Sequence, residues 1–152
     1  MSNLTIVVII VLVSMIAGLE TLWERRDKTY ISWKDFEKMR KKLVKQIKKS
    51  NKKFDGVYGI PRGGLILAVC LSHDLNLPLL KIPTKNSLIA EDISDTGNTL
   101  IKLIKNKNYK KIACLYSSNW TKVIPDYYVK VKVKKFKWLV FPYENQNTEE
   151  RK

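Results

Sequence analysis

Cysteine and histidine are scarce in this chain of 152 residues, and their scarcity excludes several kinds of site. The two cysteines, Cys70 and Cys114, lie in apolar stretches without CxxC or Cys/His spacing. This context predicts buried, reduced thiols rather than a disulfide or a metal site. The one histidine, His73, falls in a predicted helix away from the polar loops, so a catalytic role for it is not expected.

Negative charge is also in short supply. The chain has 29 lysines and arginines, nearly all of them lysine, against 14 acidic residues, and its net charge is +15. Such a balance favours anionic partners such as nucleic acid, anionic lipid or phosphorylated ligands. A lysine-rich composition is equally typical of an AT-rich coding sequence. The charge alone therefore leaves a generic solvated surface and an anion-attracting surface both open.

Charged residues are absent from residues 4–19, LTIVVIIVLVSMIAGL. Extended to Trp23, this run would cover roughly 30 Å as a helix, about one hydrocarbon thickness. We therefore predict that residues 1–23 form an apolar membrane-anchor helix, which either spans the bilayer or lies in its interface. A helix buried in the core is the alternative.

The residues around the apolar run argue against a cleaved signal peptide. No basic residue precedes the run, and no clear cleavage site follows it. Arg25, Arg26 and Lys28 come after it instead, in a stretch that we interpret as a linker over residues 24–31. By the positive-inside rule, these charges predict a single-pass protein whose domain faces the cytoplasm.

Residues 33–50 have the period of an amphipathic helix. Ser32 precedes them as a predicted N-cap, with Asp35 three residues later. The apolar positions recur at helical spacing and are Trp33, Phe36, Met39, Leu43, Val44 and Ile47. The other face, within residues 34–53, is rich in lysine. We interpret it as a solvated face, with contact to anionic lipid as the functional alternative.

Beyond this helix, strand-like and helix-like stretches alternate. The predicted strands cover residues 56–60, 88–92, 111–116, 127–133 and 138–141, with a short strand at 79–82, and the predicted helices cover 65–74 and 99–106. This order predicts one α/β domain over residues 32–144, with a mostly parallel, twisted sheet flanked by helices. Residues 145–152 form a polar tail. Ligands of such sheets bind at the carboxyl ends of the strands.

One strand-to-helix loop lies within residues 88–100, LIAEDISDTGNTL. A buried strand brings two carboxylates, Glu91 and Asp92, to the edge of the sheet. A turn containing Gly97 then opens a helix, whose free N–H groups attract anions. The arrangement predicts a phosphate-binding loop beside a carboxylate pair, which suits a phosphorylated sugar with vicinal hydroxyls. An ordinary capped strand–turn–helix is the plainer alternative.

A second loop, residues 59–64 with the sequence GIPRGG, also follows a strand and opens a helix. The Arg62 guanidinium, together with the backbone amides of Gly63 and Gly64, makes an anion site with bidentate capacity. By itself this turn is weak evidence. Its position before the first loop makes the pair more informative.

Residues 88–100 resemble the signature with which type I phosphoribosyltransferases bind 5-phosphoribosyl diphosphate (PRPP): hydrophobic residues, an acidic pair, then DTG-x-T. Residues 59–64 look like the pyrophosphate loop of that family. The similarity to its xanthine/guanine branch extends over about residues 30–144. This resemblance implies an enzyme that transfers the 5-phosphoribosyl group of PRPP to a purine base (xanthine, guanine or hypoxanthine), with Mg²⁺, and releases pyrophosphate.

The resemblance also implies a role for individual residues. Asp95 would be the catalytic residue that handles the proton of the base. Trp138 would stack on the purine, with a plain core or edge-strand aromatic as the alternative. The residues implied in ligand binding are Glu91 and Asp92 for the ribose hydroxyls and, indirectly, Mg²⁺; Arg62, Gly63 and Gly64 for pyrophosphate; and Ser94, Thr96, Gly97, Asn98 and Thr99 for the 5-phosphate.

The sequence departs from the family pattern in two places. The family has a lysine after the penultimate strand that reads the 6-oxo group of the base, whereas residues 115–119 read LYSSN and no lysine occurs before Lys122. In addition, only residues 83–87 remain for the flexible hood that covers the site. The six peptide steps from residue 82 to residue 88 span at most roughly 20 Å. Since a parallel crossover usually needs about a dozen residues or more, little chain is left to cover the site.

Because of these departures we expect reduced activity. A non-catalytic regulator that binds PRPP or a nucleotide is the first alternative, and a lipid- or RNA-binding protein on the same fold is the second. Nucleic acid is the less expected partner. A homodimer is left open.

Overall fold

The computed structural model describes residues 3–24, 28–105, 111–135 and 137–144. Its helices and strands are, in chain order, α1 (Asn3–Glu24), β1 (Lys28–Tyr30), α2 (Trp33–Lys49), β2 (Val57–Gly59), α3 (Gly63–Leu75), β3 (Leu88–Ser94), α4 (Asn98–Ile104), β4 (Lys111–Ser118), β5 (Tyr127–Lys132) and β6 (Trp138–Val140). Strands β2, β3, β4 and β5 form a parallel sheet in that order. The predicted α/β fold with a parallel sheet and flanking helices is confirmed.

The four-stranded sheet lies between two apolar layers. On one face, buried side chains of α2 and α3 pack against alternate residues of the central strands, including Leu88, Ala90, Ala113 and Leu115. On the other face, Leu100 of α4 belongs to a smaller cluster with Ile89, Ile112 and Cys114. Successive strand residues point to opposite faces. Strands covered on both faces therefore appear in the sequence as continuous apolar runs.

Helix α2 begins where the sequence predicted. The backbone N–H of Asp35 donates to the Ser32 hydroxyl at 3.1 Å, and that hydroxyl in turn donates to the Asp35 carboxylate at 2.7 Å. Phe36, Met39 and Leu43 are buried on the inner face. The lysines of the outer face are exposed. Their contact with anionic lipid stays a prediction.

Two short segments differ from the sequence-based prediction. Residues 28–30, within the predicted linker 24–31, form strand β1, which pairs in parallel with β6 in a separate two-stranded sheet. The strand predicted at 79–82 is reduced to a single bridge between Leu79 and Val57. The short connection explains the second difference, because residues 83–87 cannot carry the chain around a full parallel crossover.

Helix α1 contains the apolar run. Its large apolar side chains between Ile6 and Met15 are 44–62% exposed. In the ranges that the structure describes, no helix combines the length and the apolar character needed to cross a membrane. The predicted transmembrane helix therefore has no support from the structure. Arg25, Arg26 and the polar tail 145–152 lie outside the described residues.

Candidate active site

The two predicted ligand loops meet at the carboxyl edge of the sheet. β2 and β3 are parallel neighbours, with Gly59 opposite Ala90, so the loops that follow them lie side by side. The contact is so close that a Cβ atom added to Gly63 would lie 1.9 Å from Oδ2 of Asp92. Glycine is therefore the residue that lets the 59–64 loop reach the carboxylate pair.

Glu91 and Asp92 form a buried acidic pair in β3, each 9% exposed. Burial, followed by the neighbouring Asp92 carboxylate, raises the pKa of Glu91 to about 9, although hydrogen bonds from the backbone N–H groups of Asp92 and Gly64 oppose this. Burial likewise raises the pKa of Asp92, although hydrogen bonds from Tyr143 and the backbone of Ile93 oppose this. The backbone N–H of Ile93 donates to Asp92 Oδ1 at 2.7 Å. The pair therefore holds a proton near neutral pH and attracts hydroxyl groups or a cation.

The segment after β6 returns to this pair. The Tyr143 hydroxyl donates to Asp92 Oδ2 at 2.9 Å, and the ring of Tyr143 stacks on Phe141 with centroids 5.5 Å apart. Burial raises the pKa of Glu144, and the nearby Asp92 charge adds to the increase while the Arg62 charge opposes it. Tyr143 and Glu144 could not be identified from the sequence, because their link to Asp92 joins positions far apart in the chain.

The turn between β3 and α4 is braced by the segment after β4. Gly97 has φ of +77°, a conformation that glycine adopts without strain. The backbone N–H of Lys122 donates to the Thr96 carbonyl at 3.1 Å, and its ammonium lies 3.2 Å from Asn98 Oδ1. Thr96, Asn98 and Thr99 are exposed and available to a ligand.

The Ser94 hydroxyl is buried under the turn. Its side chain is 1% exposed, and its hydroxyl lies 2.8 Å from both the Thr121 hydroxyl and the Val123 carbonyl. A hydroxyl held in this way supports the turn and is not presented to a phosphate. The prediction that Ser94, as part of the 94–99 turn, helps to bind the 5-phosphate stays a prediction.

Asp95, the predicted catalytic residue, lies beside a buried lysine. The Ser118 hydroxyl donates to Asp95 Oδ1 at 2.6 Å, and the Lys132 ammonium is 3.3 Å from both carboxylate oxygens. The same ammonium lies 5.3 Å from the centre of the Trp120 ring. Ser118 and Lys132 are opposite each other in the β4–β5 register. The adjacent strand β5 therefore places a lysine ammonium beside Asp95.

The short 83–87 connection does not cover the site. The backbone N–H of Thr84 donates to the Ser87 hydroxyl at 2.6 Å, and the Thr84 hydroxyl donates to Asp55 at 2.8 Å. Asp55 precedes β2, so this turn is tied to the amino edge of the sheet, opposite the ligand loops. The expectation of little or no hood agrees with this geometry.

The other predicted site residues lie at the start of α3 and of β6. Arg62 is exposed at the start of α3, where Gly63 and Gly64 follow it. Trp138 is half-buried at the start of β6. Its stacking role stays a prediction. The described ranges contain no group of three or more His, Cys, Asp or Glu side chains that could hold a metal.

Comparisons with known proteins agree with this arrangement. No protein-family model matches the chain. A purine phosphoribosyltransferase from Pyrococcus horikoshii is 35% identical, with a TM-score of 0.69 over 82% of this chain and 99% of that one. A xanthine-guanine-hypoxanthine phosphoribosyltransferase from Helicobacter pylori is 24% identical (TM-score 0.63, 75% and 92% covered). A hypoxanthine-guanine-xanthine phosphoribosyltransferase is 21% identical (TM-score 0.52, 65% and 74% covered), and these last two show the fold alone. Given its identity and coverage with the first of these, the chain belongs to the purine phosphoribosyltransferase family.

Proposed function

We propose that this protein transfers the 5-phosphoribosyl group of PRPP to a purine base and releases pyrophosphate. The observation that carries the proposal is the meeting of three groups at one sheet edge: the Glu91–Asp92 pair, the 94–99 turn and the 59–64 loop. PRPP has a matching set of groups, namely vicinal hydroxyls, a 5-phosphate and a diphosphate. The similarity to purine phosphoribosyltransferases supports the same reaction class.

Each part of PRPP has a complementary group in the site. The buried carboxylates accept hydrogen bonds from the ribose hydroxyls, as Asp92 already accepts one from Tyr143. The hydroxyls and amides of the exposed turn residues Thr96, Asn98 and Thr99 donate to the 5-phosphate. Arg62 and the neighbouring glycine amides would bind the pyrophosphate, because a guanidinium matches the paired oxygens of a phosphate.

In the proposed reaction, the bond from ribose C1 to the pyrophosphate oxygen breaks and a bond from C1 to a base nitrogen forms. Pyrophosphate leaves with the bonding electrons, and the proton of the base nitrogen moves to Asp95. Asp95 suits this role because its side chain is 39% exposed and can reach a bound base. Catalysis then depends mainly on positioning and on neutralising charge.

Mg²⁺ fits the donor set only if the substrate contributes most of its ligands. The described residues offer two adjacent carboxylates, Glu91 and Asp92, rather than a cage of three or more. Mg²⁺ usually keeps several waters and binds through one or two carboxylates plus substrate phosphates. When bound, the ion would neutralise negative charge on the diphosphate.

Titration calorimetry with PRPP and Mg²⁺, followed by guanine, xanthine and hypoxanthine, tests the proposal. Replacing Asp92 by Asn removes a carboxylate but keeps its size and an oxygen for the Tyr143 hydroxyl. Because charge-assisted hydrogen bonds are lost, PRPP affinity should fall roughly ten- to a hundredfold. Asp74→Asn is the matched control, since Asp74 pairs with Arg40 at the far end of α3. No PRPP binding by the wild type, or equal losses in the two variants, would contradict the proposal.

One observation favours a second function, a regulator that binds PRPP or a nucleotide without turnover. The connection that would form the hood is held at the amino edge of the sheet by Asp55 and Thr84. A site without a cover admits water, which competes with the base for the ribosyl group. Calorimetry that shows PRPP binding, combined with no product from any base, would favour this second function.

A further inference from the structure

Tyr143 reaches the acidic pair from outside both ligand loops. It follows β6 near the end of the described chain, 51 positions after Asp92, and its hydroxyl donates to Asp92 Oδ2 at 2.9 Å. The other oxygen of the same carboxylate accepts a hydrogen bond of 2.7 Å from the backbone N–H of Ile93. Rotation of the carboxylate would break both hydrogen bonds. Asp92 is therefore held in one orientation before a ligand binds.

The Asp92 carboxylate keeps the capacity to bind a ligand while Tyr143 is in place. An ionised carboxylate has about four lone-pair sites on its two oxygens. The Tyr143 hydroxyl and the Ile93 N–H occupy one site on each oxygen. Either oxygen can therefore accept a further hydrogen bond from a hydroxyl group on a ligand.

The aromatic ring of Tyr143 is itself fixed by its neighbours. It stacks on Phe141, with centroids 5.5 Å apart and planes inclined by 11°, and it meets Phe36 edge-on with centroids 6.0 Å apart. The turn that carries it is closed by Glu144, whose backbone N–H donates to the Phe141 carbonyl at 3.0 Å and whose carboxylate accepts from the Phe141 N–H at 2.8 Å. The hydroxyl is therefore presented to Asp92 from a rigid support.

We propose that Tyr143 is a positioning residue for the ribose, because it holds Asp92 in the orientation that accepts a hydrogen bond from a ribose hydroxyl. A preorganised acceptor binds more tightly, since its orientation is not restricted at the moment of binding. The inference rests on the proposed transferase function and adds to it a residue outside both ligand loops. Loss of the Tyr143 hydroxyl should weaken ligands that carry ribose hydroxyls and spare ligands that lack them.

Titration calorimetry with PRPP and Mg²⁺ compares the wild type with Tyr143→Phe, which removes the hydroxyl and keeps the ring. The affinity for PRPP should fall roughly three- to tenfold, because a net hydrogen bond that supports Asp92 is lost. In the Asp92→Asn variant the same change should have a smaller effect, because the carboxylate that it orients is absent.

Tyr127→Phe is the matched control. The Tyr127 hydroxyl also donates at 2.9 Å, but to Ser50, and the residue lies at the amino end of β5, away from the ligand loops. Its removal should lower the free energy of unfolding, as Tyr143→Phe should, but leave the affinity for PRPP unchanged. Urea denaturation of both variants measures the loss of stability separately from the loss of binding.

A pair of nucleotides without added metal tests whether the effect passes through the ribose hydroxyls. Guanosine monophosphate carries both hydroxyls, and 2′,3′-dideoxyguanosine monophosphate carries neither. Tyr143→Phe should weaken the first and leave the second unchanged, whereas a general disturbance of the site would weaken both equally.

The possible outcomes separate this inference from the proposed function. Equal PRPP affinities in the wild type and Tyr143→Phe would overturn the inference and leave the transferase proposal standing. Equal losses in Tyr143→Phe and Tyr127→Phe, or equal losses for the two nucleotides, would do the same. A wild type that binds neither PRPP nor guanosine monophosphate would refute the proposed function instead.

Discussion

Glu91 and Asp92 show how two neighbouring residues acquire a chemistry that neither has in water. Burial in β3 disfavours the charged form of each carboxyl, and the Asp92 carboxylate further disfavours ionisation of Glu91. A ligand that offers hydroxyl donors or a cation compensates for this cost by stabilising the charged carboxylates. The pair is thus better suited to a bound ligand than to the empty site.

This pair predicts a pH dependence of stability. The pKa of Glu91 is raised from 4.5 to about 9 in the folded protein, so between these values the folded state binds more protons than the unfolded state. The free energy of unfolding should therefore fall as pH rises through this window, by up to about 1.4 kcal/mol per pH unit from this group. Glu91→Gln should flatten the curve. Urea denaturation from pH 5 to 9 measures how the free energy of unfolding changes with pH in the wild type and in Glu91→Gln. Parallel curves for the two proteins would refute the raised pKa of Glu91.

The long helices and strands can be predicted from the local sequence pattern, whereas the short strands cannot. Apolar runs revealed β3 and β4, and helical spacing with the Ser32 cap revealed α2. By contrast, β1 has three residues and owes its conformation to pairing with β6, which lies at the other end of the domain. The same contrast holds for the candidate site. The 59–64 and 88–100 loops could be predicted because each is continuous in sequence. The contact between Lys132 and Asp95 could not, because it depends on the β4–β5 register, which no local pattern encodes.

The capping of α2 can be tested as a property of that element. Ser32→Ala removes the acceptor for the Asp35 N–H and should lower the free energy of unfolding by about 0.5–2 kcal/mol. Ser72→Ala is a matched control, because Ser72 Oγ only donates to a carbonyl within α3. Thermal or urea unfolding of both variants gives the comparison. Equal losses would mean that the cap contributes no more than an ordinary helix serine.

At the scale of the whole molecule, the parallel sheet gathers the ligand loops at one edge, while the 83–87 turn is tied to the other. Binding groups are therefore present without a covering segment among the described residues. Enzymes that form reactive sugar cations exclude water to protect them. For the proposed function, this architecture predicts that PRPP can bind without being used efficiently.

This separation predicts tight PRPP binding with slow, wasteful turnover. The rate of transfer to hypoxanthine should fall below about 1 s⁻¹, the low end of ordinary enzymes. Part of the PRPP should be hydrolysed even with base present, which chromatography of ribose 5-phosphate and nucleotide would detect. The Asp92→Asn variant gives the background rate of PRPP hydrolysis. It should hydrolyse less PRPP because it binds PRPP more weakly. Fast transfer without hydrolysis would show that some other segment covers the site.

The close approach of Gly63 to Asp92 also constrains how this sequence can evolve. Every other amino acid carries a Cβ atom, and that atom would lie 1.9 Å from the Asp92 carboxylate whatever the rest of the side chain contains. A change at position 63 therefore forces the Asp92 carboxylate away from its contacts with Tyr143 and Ile93, unless Asp92 is itself replaced by a smaller residue. Positions 63 and 92 are thus sterically coupled, and glycine at 63 is expected to persist for as long as aspartate occupies 92.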